Sequence, residues 1–209
     1  VRFYQTPAFV TWLFPKIWWR KKTSEKVLYL TFDDGPIPGV TEFVLTELEK
    51  YQAKATFFCV GENVERHPEI ARKVAAGGHA LGNHTHKHVQ AFKTNVPDYW
   101  MEVDRCQKAL ETIITQPITK LFRPPHGQLT FAHLRRLQKK YQVVMWSNLP
   151  YDFDQSLPQE ACWLETKSRV RPGAIVVLHD SLKAEKSLRY VLPRLLEHFS
   201  GLGYTFKAL

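Results

Sequence analysis

The sequence predicts a single α/β domain built on a parallel sheet, and three observations carry that prediction. Short apolar runs alternate with segments of helical periodicity from Lys26 to the end of the chain. The runs are mostly apolar throughout, as strands buried on both faces are. Four motifs rich in Asp, His and Arg follow or end such runs, the position that chemistry takes at the C-terminal ends of barrel strands. At 209 residues and 44% apolar composition, the chain suits one domain with a full core.

Taken in order, residues 27–32 form the first strand, ended by Gly35-Pro36. Residues 40–51 read as a helix on the spacing of Val40, Phe43, Val44 and Leu48. A second strand over 55–60 precedes a helix over 68–76, closed by Gly77-Gly78. A third strand over 79–84 leads into a histidine cluster, followed by the longest helix, 97–115. A short strand over 120–122 leads into Arg123, and Thr130 is placed to cap a helix over 130–141. Strand 142–146, helix 158–170 and the apolar strand 174–178 come next. Leu188, Val191, Leu192, Leu195 and Leu196 give the last helix its buried face, and 204–209 returns as the seventh strand.

The chemistry-bearing residues begin at Thr31-Phe32-Asp33-Asp34-Gly35-Pro36. Two adjacent carboxylates at the end of a buried strand need a cation or strong hydrogen bonds. His84-Thr85-His86-Lys87-His88 offers partners for a cation, and a helical turn there puts His84 and His88 on one face. Two imidazoles and one carboxylate make a three-ligand site with open positions, suited to catalytic zinc or a similar divalent metal. Arg123-Pro124-Pro125-His126-Gly127 and Leu178-His179-Asp180 complete the set, and one end of a parallel sheet gathers all four.

From about Lys26 to Leu209 these motifs, in this order, resemble the polysaccharide deacetylases of carbohydrate esterase family four, the NodB-like homology domain. The resemblance implies a distorted (β/α)7 TIM-like barrel and metal-dependent removal of N-acetyl, or O-acetyl, groups from a glycan such as peptidoglycan or a chitin-like polymer. It implies Asp33 as general base, and Asp34, His84 and His88 as ligands of one divalent metal, Zn2+ before Co2+, Mn2+, Ni2+ or Fe2+. Arg123 then positions the base, the main-chain N–H of His126 faces the oxyanion, and His179 is the general acid.

Two motifs depart from the family's pattern. His126 stands where a tyrosine is usual, which alters the wall of the sugar site. The family's fourth motif aligns on Leu149-Pro150-Tyr151-Asp152-Phe153, without its first Asp and with Phe in place of Trp. Asp152 is expected to orient His179, with Arg123 as its alternative partner. Trp146, Phe153 and Leu178 are expected to line the acetyl pocket. Asp180 is read as a turn cap, and His67, His79, His86, His133 and His198 as structural or solvated. The reading from another class is a catalytically weakened barrel that binds glycans or anionic envelope surfaces.

Residues 1–25 form a separate aromatic and basic segment, with 26–209 as the catalytic domain. Phe9, Trp12, Leu13, Phe14 and Trp18 precede Arg20-Lys21-Lys22. The segment either packs across the barrel bottom, because Pro7 and Pro15 break any long amphipathic helix, or makes weak contact with a membrane surface. The formal charge of +9 favours acidic partners, but no nucleic-acid-binding motif accompanies it. Cys59, Cys106 and Cys162 are scattered and read as buried free thiols. No signal-peptide pattern is visible and no apolar run reaches the roughly twenty residues of a membrane span. The compartment, cell envelope or cytoplasm, stays open.

Overall fold

A computed structural model of the chain describes residues 2–113 and 120–209. Its strands are β1 (Val27–Asp33), β2 (Thr56–Cys59), β3 (Ala80–Asn83), β4 (Leu121–Phe122), β5 (Gln142–Val143), β6 (Ile175–His179) and β7 (Thr205–Phe206). The helices are α1 (Ala8–Leu13), α2 (Val40–Lys50), α3 (Gly61–Arg66), α4 (Pro68–Ala76), α5 (Val96–Glu111), α6 (Phe131–Leu137), α7 (Gln159–Arg169) and α8 (Glu185–Gly201). The predicted tail of the longest helix, Ile114 and Thr115, lies outside the described residues.

All strand pairs are parallel, in the order β5-β4-β3-β2-β1-β6, with β7 beside the start of β1. This is the curled parallel barrel that the sequence predicts. The two-residue period of the strands divides their side chains between two layers. Leu28, Leu30, Phe32, Val176 and Leu178 face outward into a core shared with α2, α7 and α8. Phe58, Leu121 and Ile175 pack inside, with Tyr29 against them, and Asp33 and His179 end the inward rows of β1 and β6.

Strands β5 and β6 do not pair with each other: the chain just after β5 bridges to β6 at Asn148 and Val176, and the chain preceding β1 fills the rest of the gap. Trp18 bridges to Val144, and Arg20 to Ala174. The Trp18 N–H donates to Val143 O at 3.0 Å, the Met145 N–H to Trp18 O at 2.8 Å, and the Lys21 N–H to Gly173 O at 2.9 Å. Gly173, at φ 78°, has no room for a side chain, since a Cβ there would lie 2.0 Å from Lys21 O. Ile17 is buried and Trp18 packs on the inner core, whereas Phe9, Trp12 and Leu13 of α1 are exposed. The aromatic segment thus divides into an inward strap and an outward helix. Cys59, Cys106 and Cys162 are free and buried.

Candidate active site

The C-terminal ends of the strands open into a cleft of about 550 Å³ lined by both aspartates, four histidines of the motifs and an aromatic wall. Asp33 ends β1 with its side chain inward and meets the guanidinium of Arg123, Nη1 to Oδ1 at 2.7 Å. Arg123 is fully buried, so its remaining donors must also find acceptors. They do so on Thr31 Oγ1 at 2.7 Å, Met145 O at 2.9 Å and Val144 O at 3.3 Å. The plane of the guanidinium lies over the Phe58 ring, 4.2 Å from its centroid. Arg123 is therefore fixed on every side, and through it Asp33. Asp152, whose alternative partner was Arg123, lies elsewhere.

Asp34 leaves the strand at φ 83° and faces away from Arg123. Its Oδ1 is 3.3 Å from His88 Nε2 and 3.7 Å from His84 Nε2. Ligand atoms of Asp34, His84 and His88 all lie within 4.8 Å of one another. His84 Nδ1 is 2.7 Å from Arg123 O, so the ring donates there and presents an Nε2 lone pair to the cleft. Burial lowers the pKa of His84 to about 4, which keeps it neutral as a ligand must be. Burial alone would raise Asp34, but His88, His179 and His84 outweigh it and hold the carboxyl well below the usual range. A carboxylate and two imidazoles converging on one point are a donor set that fits a divalent metal.

The histidine motif reaches this geometry without a helical turn. Residues 84–90 are irregular, and Thr85 and His88 adopt left-handed φ values of 63° and 52°. Asn83 Oδ1 accepts from the Thr85 N–H at 2.9 Å and holds the turn. His84 and His88 are on one side because of this loop and not because of a shared helical face.

His179 ends β6 and is held by Asp152 at two points. The His179 N–H donates to Oδ2 at 2.7 Å, and Nδ1 lies 2.8 Å from Oδ1. Burial pushes the imidazole pKa down, but Asp152, with Asp34 and Asp33 beyond, raises it to about 9. His179 is therefore a cation at neutral pH with its Nδ1 occupied. The next residue, Asp180, is fully buried and turns under the first motif. It accepts from the Gly35 N–H at 3.1 Å and from the Thr41 hydroxyl at 2.6 Å. Burial raises its pKa to about 8.

The loop after β4 places His126 across the cleft at φ 57°, its ring 4.6 Å from that of His88. Phe153 meets the His179 ring edge-on at 4.8 Å, and Trp146 continues the wall.

A family model of polysaccharide deacetylases matches residues 20–146. The chain belongs to the polysaccharide deacetylase family. It is 34% identical over 190 residues to a peptidoglycan-N-acetylglucosamine deacetylase of Bacillus cereus, covering 90% of this chain and 88% of that one. A chitooligosaccharide deacetylase of Azorhizobium caulinodans is 31% identical over 188 residues, covering 82% and 89%. The crystal structure of a peptidoglycan N-acetylglucosamine deacetylase superposes with a TM-score of 0.88 at 25% identity, over 98% of this chain and 95% of that one. Enzymes of this family are metal-dependent in general, and the Asp34, His84 and His88 cluster fits that requirement.

One wall residue expected of the deacetylase is corrected. Leu178 does not line the cleft: it is fully buried on the opposite face of β6, in the core shared with the helices. Val177 lines the cleft instead, because residues two apart on a strand share a face and His179 points inward. Tyr151, Ser181 and Lys183 also line the cleft and were not read from the sequence. Lys183 stands 5.6 Å from the centroid of the Phe153 ring. Its signal is faint, since a lysine four residues past a histidine motif carries no spacing rule.

Proposed function

We propose that this deacetylase hydrolyses N-acetyl groups on an N-acetylglucosamine-containing polysaccharide or oligosaccharide, of the peptidoglycan or chitin-like class. What carries the reading is the division of labour at one cleft: Asp34 faces His84 and His88, whereas Asp33 is turned onto Arg123 and His179 onto Asp152. A base beside the ligand cluster, an acid beyond it and a cluster with open positions are the parts that amide hydrolysis needs.

Asp34, His84 and His88 are assigned to one Zn2+ ion, the metal that two imidazoles and a carboxylate suit best; Co2+, Mn2+, Ni2+ and Fe2+ accept the same donors. When bound, the metal supplies Lewis-acid polarisation of the acetyl carbonyl and of the attacking water. Asp33 takes one proton from that water as its oxygen adds to the acetyl carbon. Arg123 holds the receiving carboxylate in line, and the main-chain N–H of His126 is assigned to the developing oxyanion. His179 then gives its proton to the sugar nitrogen as the C–N bond breaks, leaving acetate and a free amine. An amine is a poor leaving group unprotonated, so His179 matters most for N-acetyl substrates. Trp146 and Phe153 form the apolar wall against the acetyl methyl.

The test is acetate release from a panel of peptidoglycan fragments, chitooligosaccharides and O-acetylated glycans, with zinc present. Release from the N-acetylated members, lost on chelation and restored by metal, is expected. Protein that holds its metal yet frees no acetate from any of them would contradict the assignment.

A further inference from the structure

Away from the cleft, several of the most exposed apolar side chains gather on one face. Phe9, Trp12 and Leu13 of α1 are 70, 81 and 58% exposed, and Phe131 at the start of α6 is 79% exposed. The Phe14 ring, just past α1, lies 5.9 Å from that of Phe131 and joins the two helices into one surface. No residue of α1 is buried, so the barrel does not account for its aromatic content. Large apolar groups left in water carry an unrecovered hydration cost, and a cluster of them marks an interaction surface.

The segments that form this cluster are rich in positive charge, although Arg2 among them is paired with Asp154. Residues 1–24 contain five Lys or Arg and no Asp or Glu, and residues 112–151 contain no Asp or Glu either. Arg135, Arg136, Lys139 and Lys140 are exposed on and just after α6. The Gln142 amide donates to Lys16 O at 3.0 Å, which brings Lys16 to the basic end of that helix. We propose that this face docks the deacetylase on an anionic lipid membrane. Phe9, Trp12, Leu13 and Phe131 enter the headgroup boundary, and the surrounding Lys and Arg meet the lipid phosphates.

Charge complementarity selects an anionic surface, and the aromatic and aliphatic groups select a lipid one. A hydrated anionic polymer would engage the cations but would give Leu13 and Phe9 nothing to be buried in. No helix among the described residues is long and apolar enough to cross a membrane; the contact proposed here is made by surface side chains. The docked face adjoins the cleft. The Thr6 hydroxyl donates to Trp146 O at 2.6 Å, and Tyr4 packs on Tyr151 with ring centroids 5.3 Å apart. Both Trp146 and Tyr151 line the cleft. A glycan met there is one held close to the membrane, a consequence that rests on the function proposed above; the docking itself does not.

Co-sedimentation of the full chain with phosphatidylcholine vesicles, with and without phosphatidylglycerol, tests the proposal without any glycan present. Binding to the anionic vesicles is expected, weakened by salt. Combining Phe9→Ser with Trp12→Ser should lower that binding by about tenfold or more, given the apolar area withdrawn. Arg135→Gln with Lys139→Gln should remove the preference for anionic lipid. Both pairs are exposed, so melting temperature and acetate release from a short oligosaccharide serve as controls and should not change. Failure to bind either vesicle would overturn the proposal, as would binding that survives the Phe9 and Trp12 changes. So would Trp12-dependent self-association, or retention on wall polymer, in place of vesicle binding.

Discussion

Asp33 and His179 are Cα partners in register on the neighbouring strands β1 and β6. Side chains at one register of a parallel pair project from the same face, with backbones about 4.8 Å apart. Behind each stands a fixed charge of opposite sign, Arg123 for Asp33 and Asp152 for His179. The following residue of each strand points elsewhere: Asp34 toward His84 and His88, and Asp180 beneath Gly35. Strand period and register together thus separate the proposed base and acid from the proposed ligand and from the brace.

The pair Asp152–His179 fixes a pH dependence. His179 is raised to about 9, where burial opposes and Asp152 is the largest upward influence. The acid acts protonated, so activity on N-acetyl substrates should fall as pH rises through the His179 pKa. Asp152→Asn removes the main upward influence, and the alkaline limb should move down by about one pH unit or more. The kcat profile of the two proteins with the same metal checks this. An alkaline limb that does not move would assign it to another group.

Gly35 has no space for a side chain. A Cβ there would lie 2.0 Å from Asp180 Oδ2, with the carboxylate already engaged by the Gly35 N–H and the Thr41 hydroxyl. Gly35→Ala should displace the turn that carries Asp34, costing about 1–3 kcal/mol of stability and at least about tenfold in kcat/KM. Adding Asp180→Ala should recover part of the stability, because it frees the space, but not all, because two donors lose their acceptor. Thermal unfolding and kinetics of the three variants decide it; wild-type behaviour of Gly35→Ala would refute the close approach.

Much of this architecture is legible in the sequence, for physical reasons. Val27–Phe32 and Ala174–Leu178 are long enough apolar runs to specify strands, and Leu188 to Leu196 hold a clean helical face. The phase of β6 is hidden, because a run apolar at every position gives no parity; His179 could have supplied it, counting back by two to Val177. The helices α1 and α3 escape periodicity reading, since α1 has no buried face and α3 buries only Gly61 and Val64. The turn through Thr85 and His88 depends on left-handed backbone at residues that rarely adopt it, held by Asn83 from the preceding strand. Local sequence does not encode such a partner.

His126 holds a left-handed backbone, at φ 57°, beside the ligand cluster. If its role is carried by the main-chain N–H, His126→Tyr should retain kcat within about tenfold, roughly 1.4 kcal/mol of barrier. Steady-state kinetics on a chitooligosaccharide at full metal occupancy checks it. A loss near a thousandfold would show that the imidazole itself takes part.

The strap formed by Ile17 to Lys21 closes the gap between β5 and β6 with main-chain hydrogen bonds to Val143, Met145 and Gly173. Deleting residues 1–22 should therefore lower the melting temperature markedly, beyond any effect on surface binding. Loss of the strap exposes the inner core at Val144 and leaves these donors and acceptors unpaired. Calorimetry of the truncated chain is the check, and an unchanged melting temperature would refute a structural role.

The central claim is that adjacent aspartates hold different roles, Asp33 as base and Asp34 as metal ligand. Metal content measured beside kcat in Asp33→Asn and Asp34→Ala tests it most directly. Asp33→Asn should keep its metal and lose about a hundred- to ten-thousandfold in kcat, the usual loss for a general base. Asp34→Ala, like His84→Ala and His88→Ala, should lose the metal, with activity only partly restored by adding more. An empty site in Asp33→Asn together with a filled one in Asp34→Ala would contradict the account.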